Sequence, residues 1–163
     1  MEMHGTRVIA ADRATVWEAL NSADTLCACI PGCEELTGSP EDGFAATVKQ
    51  KIGPVRATFK GAVILSDVVP GQSYTIAGEG KGGVAGFAKG AAQVQLLDAD
   101  GGTELIYEVD AKVGGKIAQL GSRLIGGFAH KMAEQFFDRL QERLEDGDVE
   151  TADPSDQGIP RDS

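Results

Sequence analysis

Three thiols stand within seven residues, in Cys27-Ala-Cys29-Ile-Pro-Gly-Cys33. Clustered thiolates could hold a metal, but a closed zinc site takes four ligands, usually as two spaced pairs, and the only histidines are His4 and His130. No metal ligand is therefore assigned. The other reading is a turn carrying partly buried thiols that a reducing compartment keeps free. A second pattern, Gly78-Glu-Gly80-Lys-Gly82-Gly83, matches G-x-G-x-x-G. That motif binds dinucleotides only where it leaves a strand and opens a helix, and here strand patterns lie on both sides, so the match is accidental. An enzyme would need an acid, base or nucleophile facing an interior site. His130 is two residues from Phe128, about 200° around a helix from it, and so faces solvent; the face of His4 is not determined. The polar groups able to point inward are the hydroxyls of Tyr74 and Tyr107 and the carboxamide of Gln50.

The elements that would position these groups follow from hydrophobic periodicity. From Val113 to Leu144, apolar residues Ile117, Leu120, Leu124, Phe128, Met132, Phe136, Leu140 and Leu144 recur at steps of three or four. That spacing predicts one long helix with a single apolar stripe. Ahead of it, period-two alternation predicts strands. Phe44, Ala46, Val48 and Ile52 share one face; so do Val55, Ala57, Phe59, Val63 and Leu65; then Tyr74 with Ile76; then Ala92, Val94 and Leu96; then Leu105, Tyr107, Val109, Ala111 and Val113. One apolar and one charged face mark a half-solvated antiparallel sheet. Residues 3–10 make a further strand, and Asp12 caps a short helix, with a second around 24–28 before the stop at Ile30-Pro31-Gly32. The expected architecture is α+β: a curved seven-stranded antiparallel sheet wrapped around a long C-terminal helix, with two short helices after strand 1.

An antiparallel order brings the turns at Gly53-Pro54, at Gly82, Gly83 and Gly86, and at Gly114-Gly115 to one end of the sheet, the expected mouth of a cavity. Such a cavity would be lined by Phe59, Val63, Tyr74, Ile76, Phe87, Val94, Tyr107, Val109, Leu120, Leu124 and Phe128. Mainly apolar walls with few hydrogen-bonding tips suit an uncharged ligand; a filled core would show the same pattern. Gly126-Gly127 in mid-helix costs about 1 kcal/mol per Gly relative to Ala and marks either a hinge that gates the mouth or a close contact.

The net charge is −10, unevenly placed. Residues 145–163 carry seven acids and one base, leaving 18 acids and 14 bases, or −4, in the first 144. Nucleic acid is not an expected partner, because no basic cluster supplies the electrostatic footprint. A helix-grip domain over residues 1–145 and an acidic, unstructured tail over 146–163 are expected. No run approaches a membrane span. The beginning MEMHGTRVIAADR lacks the apolar segment of a signal peptide, so the expected address is the cytoplasm.

Four segments carry a resemblance: Cys29-Ile-Pro-Gly-Cys33-Glu34, GGVAGFAKGAAQV at 82–94, YEVDAKVGGKIAQLGSRLI at 107–125, and Phe136-Phe137. With them the chain resembles the CoxG family of carbon monoxide dehydrogenase proteins, within the START/Bet v 1-like helix-grip (SRPBCC) superfamily, over roughly residues 1–145. The resemblance implies a non-catalytic accessory role beside molybdenum hydroxylases, with hydroxylase subunits as partners, no covalently bound cofactor, and a quinone carried between membrane and enzyme. The quinone head would take a hydrogen bond from Tyr74 or Tyr107, and its isoprenoid tail would run past Phe59, Leu120, Leu124 and Phe128. The alternatives are a maturation or assembly factor with no ligand, and, ranked last, an enzyme on a hydrophobic substrate. Cys27 departs from the family's pair of thiols, Gly126 stands where a more polar residue is expected, and the acidic tail offers no apolar anchor. Any contact with the inner face of the membrane would then be transient and peripheral, through Val84 and Phe87 at an exposed tip, unless Phe87 packs under the hairpin.

Overall fold

A computed structural model describes residues 1–151, with side-chain surroundings through Glu145. Seven strands form one antiparallel sheet: β1 (Glu2–Ile9), β2 (Cys33–Ser39), β3 (Gly43–Ile52), β4 (Val55–Val69), β5 (Ser73–Lys81), β6 (Phe87–Ala99) and β7 (Gly102–Gly114). Their order across the sheet is β1-β7-β6-β5-β4-β3-β2. Consecutive strands from β2 to β7 are joined as hairpins, and β1 closes the far edge by pairing with β7. Two short helices, α1 (Arg13–Leu20) and α2 (Ala23–Cys29), separate β1 from β2. Asp12 caps α1 by accepting from the Thr15 amide at 2.8 Å, and Ser22 caps α2 through the Thr25 amide at 3.3 Å. Side-chain oxygens here satisfy amides that the first helical turn leaves unpaired.

The long helix α3 spans Ser122–Thr151 and crosses the concave face of the sheet. It starts nine residues later than the apolar spacing predicts, because Gly115 (φ 80°) and Gly121 (φ 93°) take left-handed conformations that an α-helix cannot include. Between them, residues 115–120 form a 3₁₀ turn that buries Ile117. This turn keeps the apolar spacing going, which is why the sequence reads as one uninterrupted helix. At its other end α3 continues past the expected domain boundary at residue 145. The rest of the expected tail, 152–163, lies outside the described residues.

Strand β2 carries no usable alternation, since Cys33-Glu-Glu-Leu-Thr-Gly-Ser is an edge strand with a bulge between Cys33 and Glu35. On β1 the inward positions are Met3, Gly5, Arg7 and Ile9. Arg7 is thus an inward-facing cation at a sheet edge. It pairs with Asp138 at 2.6 Å and Glu134 at 3.5 Å on α3, and its guanidinium lies 5.8 Å from the centre of the Phe137 ring. The arrangement fastens the edge strand to the helix.

Buried residues fall into two groups rather than one core. The larger, at the α1 end, contains Ile9, Val16, Leu20, Tyr74, Leu96, Leu105, Tyr107, Phe137, Leu140 and Leu144. The smaller consists of Ile52, Val55, Ala85, Ile117 and Ile125. Phe59, Val113 and Phe128 lean on the smaller group, and Met3, Val109 and Phe136 on the larger, all half-buried although they face inward.

Candidate functional site

The incomplete burial of those residues has a cause: a chamber of about 440 Å³ between sheet and helix. Its sheet wall is built from alternate residues of β3 (Val48, Gln50, Ile52), Phe59 of β4, Ala88 of β6 and Val109, Ala111 and Val113 of β7. Its roof is the inner face of α3: Ile125, Phe128, Ala129, Met132, Ala133 and Phe136. Met1 and Met3 bound one flank, and Ile30 and Pro31, after α2, bound the other. Gln50 is the one polar side chain in this wall, and its amide donates to the Pro31 carbonyl at 2.5 Å. A larger depression, about 610 Å³, lies on the outer face of the sheet among Glu2, His4, Glu108 and Asp110. Its charged rim suits water, whereas the chamber between sheet and helix has the apolar walls of a small-molecule site.

Of the residues assigned to a cavity from sequence, Phe59, Val109 and Phe128 meet in the chamber wall, and Leu120 packs against the cluster at its end. The others are placed differently. Tyr74 and Tyr107 belong to the filled core: Tyr74 meets Trp17 edge-on at 5.3 Å, and Tyr107 stacks on Phe137 at 4.9 Å. Ile76 and Val94 pack against the same core, and the Val63 side chain lies over Gly78. Strand parity reports which face a residue takes but not how far along the helix axis it sits, and these five sit too near the α1 end. Burial holds both tyrosine phenols above the usual range; for Tyr107 the charge of Glu134 adds to the effect.

Two further assignments are corrected. Leu124 is 41% exposed, and Ile125 takes the inward position. Once α3 begins at Ser122, residue 124 falls about 100° from 125 around the axis, and its side chain reaches the β3–β4 turn, close to Gly53. Phe87 is 38% exposed on the outer face, with its ring over Gly114, its cross-strand partner.

The seven mouth residues, Gly53, Pro54, Gly82, Gly83, Gly86, Gly114 and Gly115, do gather at one end. Gly86 packs backbone to backbone against Gly114 and Gly115. None of the seven lines the chamber. The buried cluster of Ile52, Val55, Ala85, Ile117 and Ile125 lies across that end, so it is a stopper and not an opening. Val84 projects from it, 93% exposed.

The three thiols divide. Cys27 and Cys33 are in contact, Sγ to Sγ 2.8 Å, whereas Cys29 is 1% exposed within the larger core. Among the described residues no three His, Cys, Asp or Glu side chains converge on a metal position. His130 and His4 are both exposed. Among the described residues, no helix is long and apolar enough to cross a membrane.

A curved antiparallel sheet closed over a long C-terminal helix, with an apolar chamber between them, defines a helix-grip protein of the Bet v 1-like class. Within that class the chain belongs to the carbon monoxide dehydrogenase CoxG family, whose model matches residues 5–145. Solved structures share the fold. A conserved protein from Geobacillus kaustophilus is 28% identical, with TM-score 0.83, covering 90% of this chain and 97% of that one. A Thermus thermophilus protein is 14% identical, with TM-score 0.67 and coverages of 90% and 99%. Ara h 8.0201 is 16% identical, with TM-score 0.59 and coverages of 90% and 98%. No curated protein matches the sequence significantly.

Proposed function

We propose that this protein is a non-catalytic accessory of a carbon monoxide dehydrogenase-type molybdenum hydroxylase that binds a hydrophobic molecule, an isoprenoid quinone, in the chamber beneath α3. The observation that carries the reading is the chamber itself: about 440 Å³ walled by apolar side chains, with Gln50 the one polar side chain. Burying apolar ligand surface there releases about 25 cal/mol per Å² of area removed from water. The Gln50 amide is already engaged by Pro31, which leaves its carbonyl oxygen as an acceptor for a ligand hydroxyl. A quinol, which donates, fits such an acceptor better than a quinone does. Family membership supports the dehydrogenase partnership. A maturation factor with a filled core gives no role to the chamber and is the less favoured reading.

The test is solvent extraction of freshly purified full-length protein followed by mass spectrometry. A stoichiometric isoprenoid quinone is expected. An empty extract, together with no quinone binding on titration, overturns the carrier role.

A further inference from the structure

We propose that Cys27 and Cys33 are an oxidisable pair whose disulfide fastens the Ile30–Pro31 wall of the chamber and slows ligand exchange past it. The pair brackets that wall. Cys27 lies on α2, Cys33 opens β2, and the residues between them include Ile30 and Pro31, both lining the chamber. The two sulfurs are 2.8 Å apart, so closing to a bond of about 2.05 Å requires less than about 1 Å of movement. Both residues are partly exposed, whereas Cys29, two residues from Cys27, is sealed in the core. One disulfide is thus geometrically selected from the three pairings available.

In the reduced protein this wall is held by few bonds. The Lys49 amide donates to the Gly32 carbonyl at 2.9 Å, and Gln50 donates to Pro31. Both anchors lie on β3, and a disulfide would add a covalent tie between α2 and β2 around them. The oxidant is a hydroperoxide. The Cys27 thiolate attacks its terminal oxygen, the O–O bond breaks, and an alcohol or water leaves, giving a sulfenic acid on Cys27. The Cys33 sulfur then attacks the Cys27 sulfur; the S–S bond forms, the S–O bond breaks, and the departing hydroxide takes the Cys33 proton and leaves as water. Two electrons pass from the thiols to the peroxide. Cys33 suits the second role, because burial and then contact with Cys27 push its thiol up to about 12, which disfavours it as the first attacking thiolate.

The disulfide stands on the sulfur geometry alone, whereas its effect on exchange rests on the chamber reading above. The experiment treats full-length protein with hydrogen peroxide, maps the cross-link by peptide mass spectrometry, and measures release of an anilinonaphthalene sulfonate dye by rapid dilution. An intramolecular Cys27–Cys33 bond with Cys29 free is expected, with dye release about tenfold slower, because the fastened wall must open by a rarer local unfolding. Cys27→Ser and Cys33→Ser should each abolish the peroxide effect. A cross-link to Cys29, intermolecular dimers alone, or sulfinic acid without a cross-link overturns the pairing. The mapped disulfide with unchanged release overturns the gating. Failure of the reduced protein to bind dye removes the chamber reading and the gating with it, while the mapped cross-link still decides the pairing.

Discussion

Replacing Gly126 and Gly127 with Ala tests whether the middle of α3 is a hinge. Both glycines lie inside an uninterrupted helix between Ile125 and Phe128, two residues of the chamber roof. A Cβ built at either position meets nothing within 4 Å, so neither glycine is there to admit a neighbour. Steric cost is therefore absent, and the backbone gain stands alone. Each Gly→Ala change in a helix interior is worth about 0.8–1.0 kcal/mol, so the double variant gains about 1.5–2 kcal/mol. For a chain of this length each kcal/mol raises Tm by about 2–4 °C, which gives a rise of about 3–8 °C by circular dichroism. A fall in Tm would show that the helix bends or breaks at the pair in solution, and would refute the reasoning. Release of a bound dye provides the second reading. A hinge that gates the chamber would make the stiffened helix release the dye several times more slowly, and unchanged release would remove the hinge.

Gly86→Ala should do the opposite: at φ 112°, with the Gly114 carbonyl where a Cβ would stand, the change should cost about 3 kcal/mol, read as a lower urea midpoint, and an unchanged midpoint would show that the β5–β6 loop is not held against β7. Arg7→Ala should lose about 1–2 kcal/mol, more through the packing of its stem over Phe137 than through its exposed acidic partners; a loss that disappears in high salt would reverse that apportioning. With the folded state holding the phenol protons of Tyr74 and Tyr107, their contribution to stability is complete below about pH 10 and falls as pH rises beyond it. Tyrosinate absorbance should consequently appear together with unfolding; its appearance in a still-folded protein near pH 10 would show the phenols to be solvated.

The fold was legible because its signals are periodic. Alternation along β3 to β7 and the three-and-four spacing along α3 both survive in the structure, and together they require a sheet packed on a helix. What periodicity does not encode is phase and position. A 3₁₀ turn bounded by Gly115 and Gly121 mimics a continued helix, so Leu124 reads as inward when Ile125 is. Alternation puts Tyr74 and Phe59 on the same face without revealing that one plugs the core beside Trp17 and the other borders a chamber. The inward placement of Arg7 was hidden because β1 alternates Met, Gly, Arg and Ile with residues no more polar. Its acidic partners Glu134 and Asp138, exposed on α3, were the available clue. The chamber wall also draws on residues with no sequence mark, Ala129 and Ala133 above all, whose small size leaves the space.

That small size supplies the most direct test of the chamber. Trp at Ala129 and Ala133 should fill existing space with little strain, leaving the fold intact by circular dichroism. Titration of the parent and the Ala129→Trp/Ala133→Trp variant with a short-chain quinol, followed by calorimetry, is the measurement to make. Saturable one-to-one binding by the parent, lost in the folded variant, is expected. Equal binding by both, or by neither, would contradict a ligand site beneath α3.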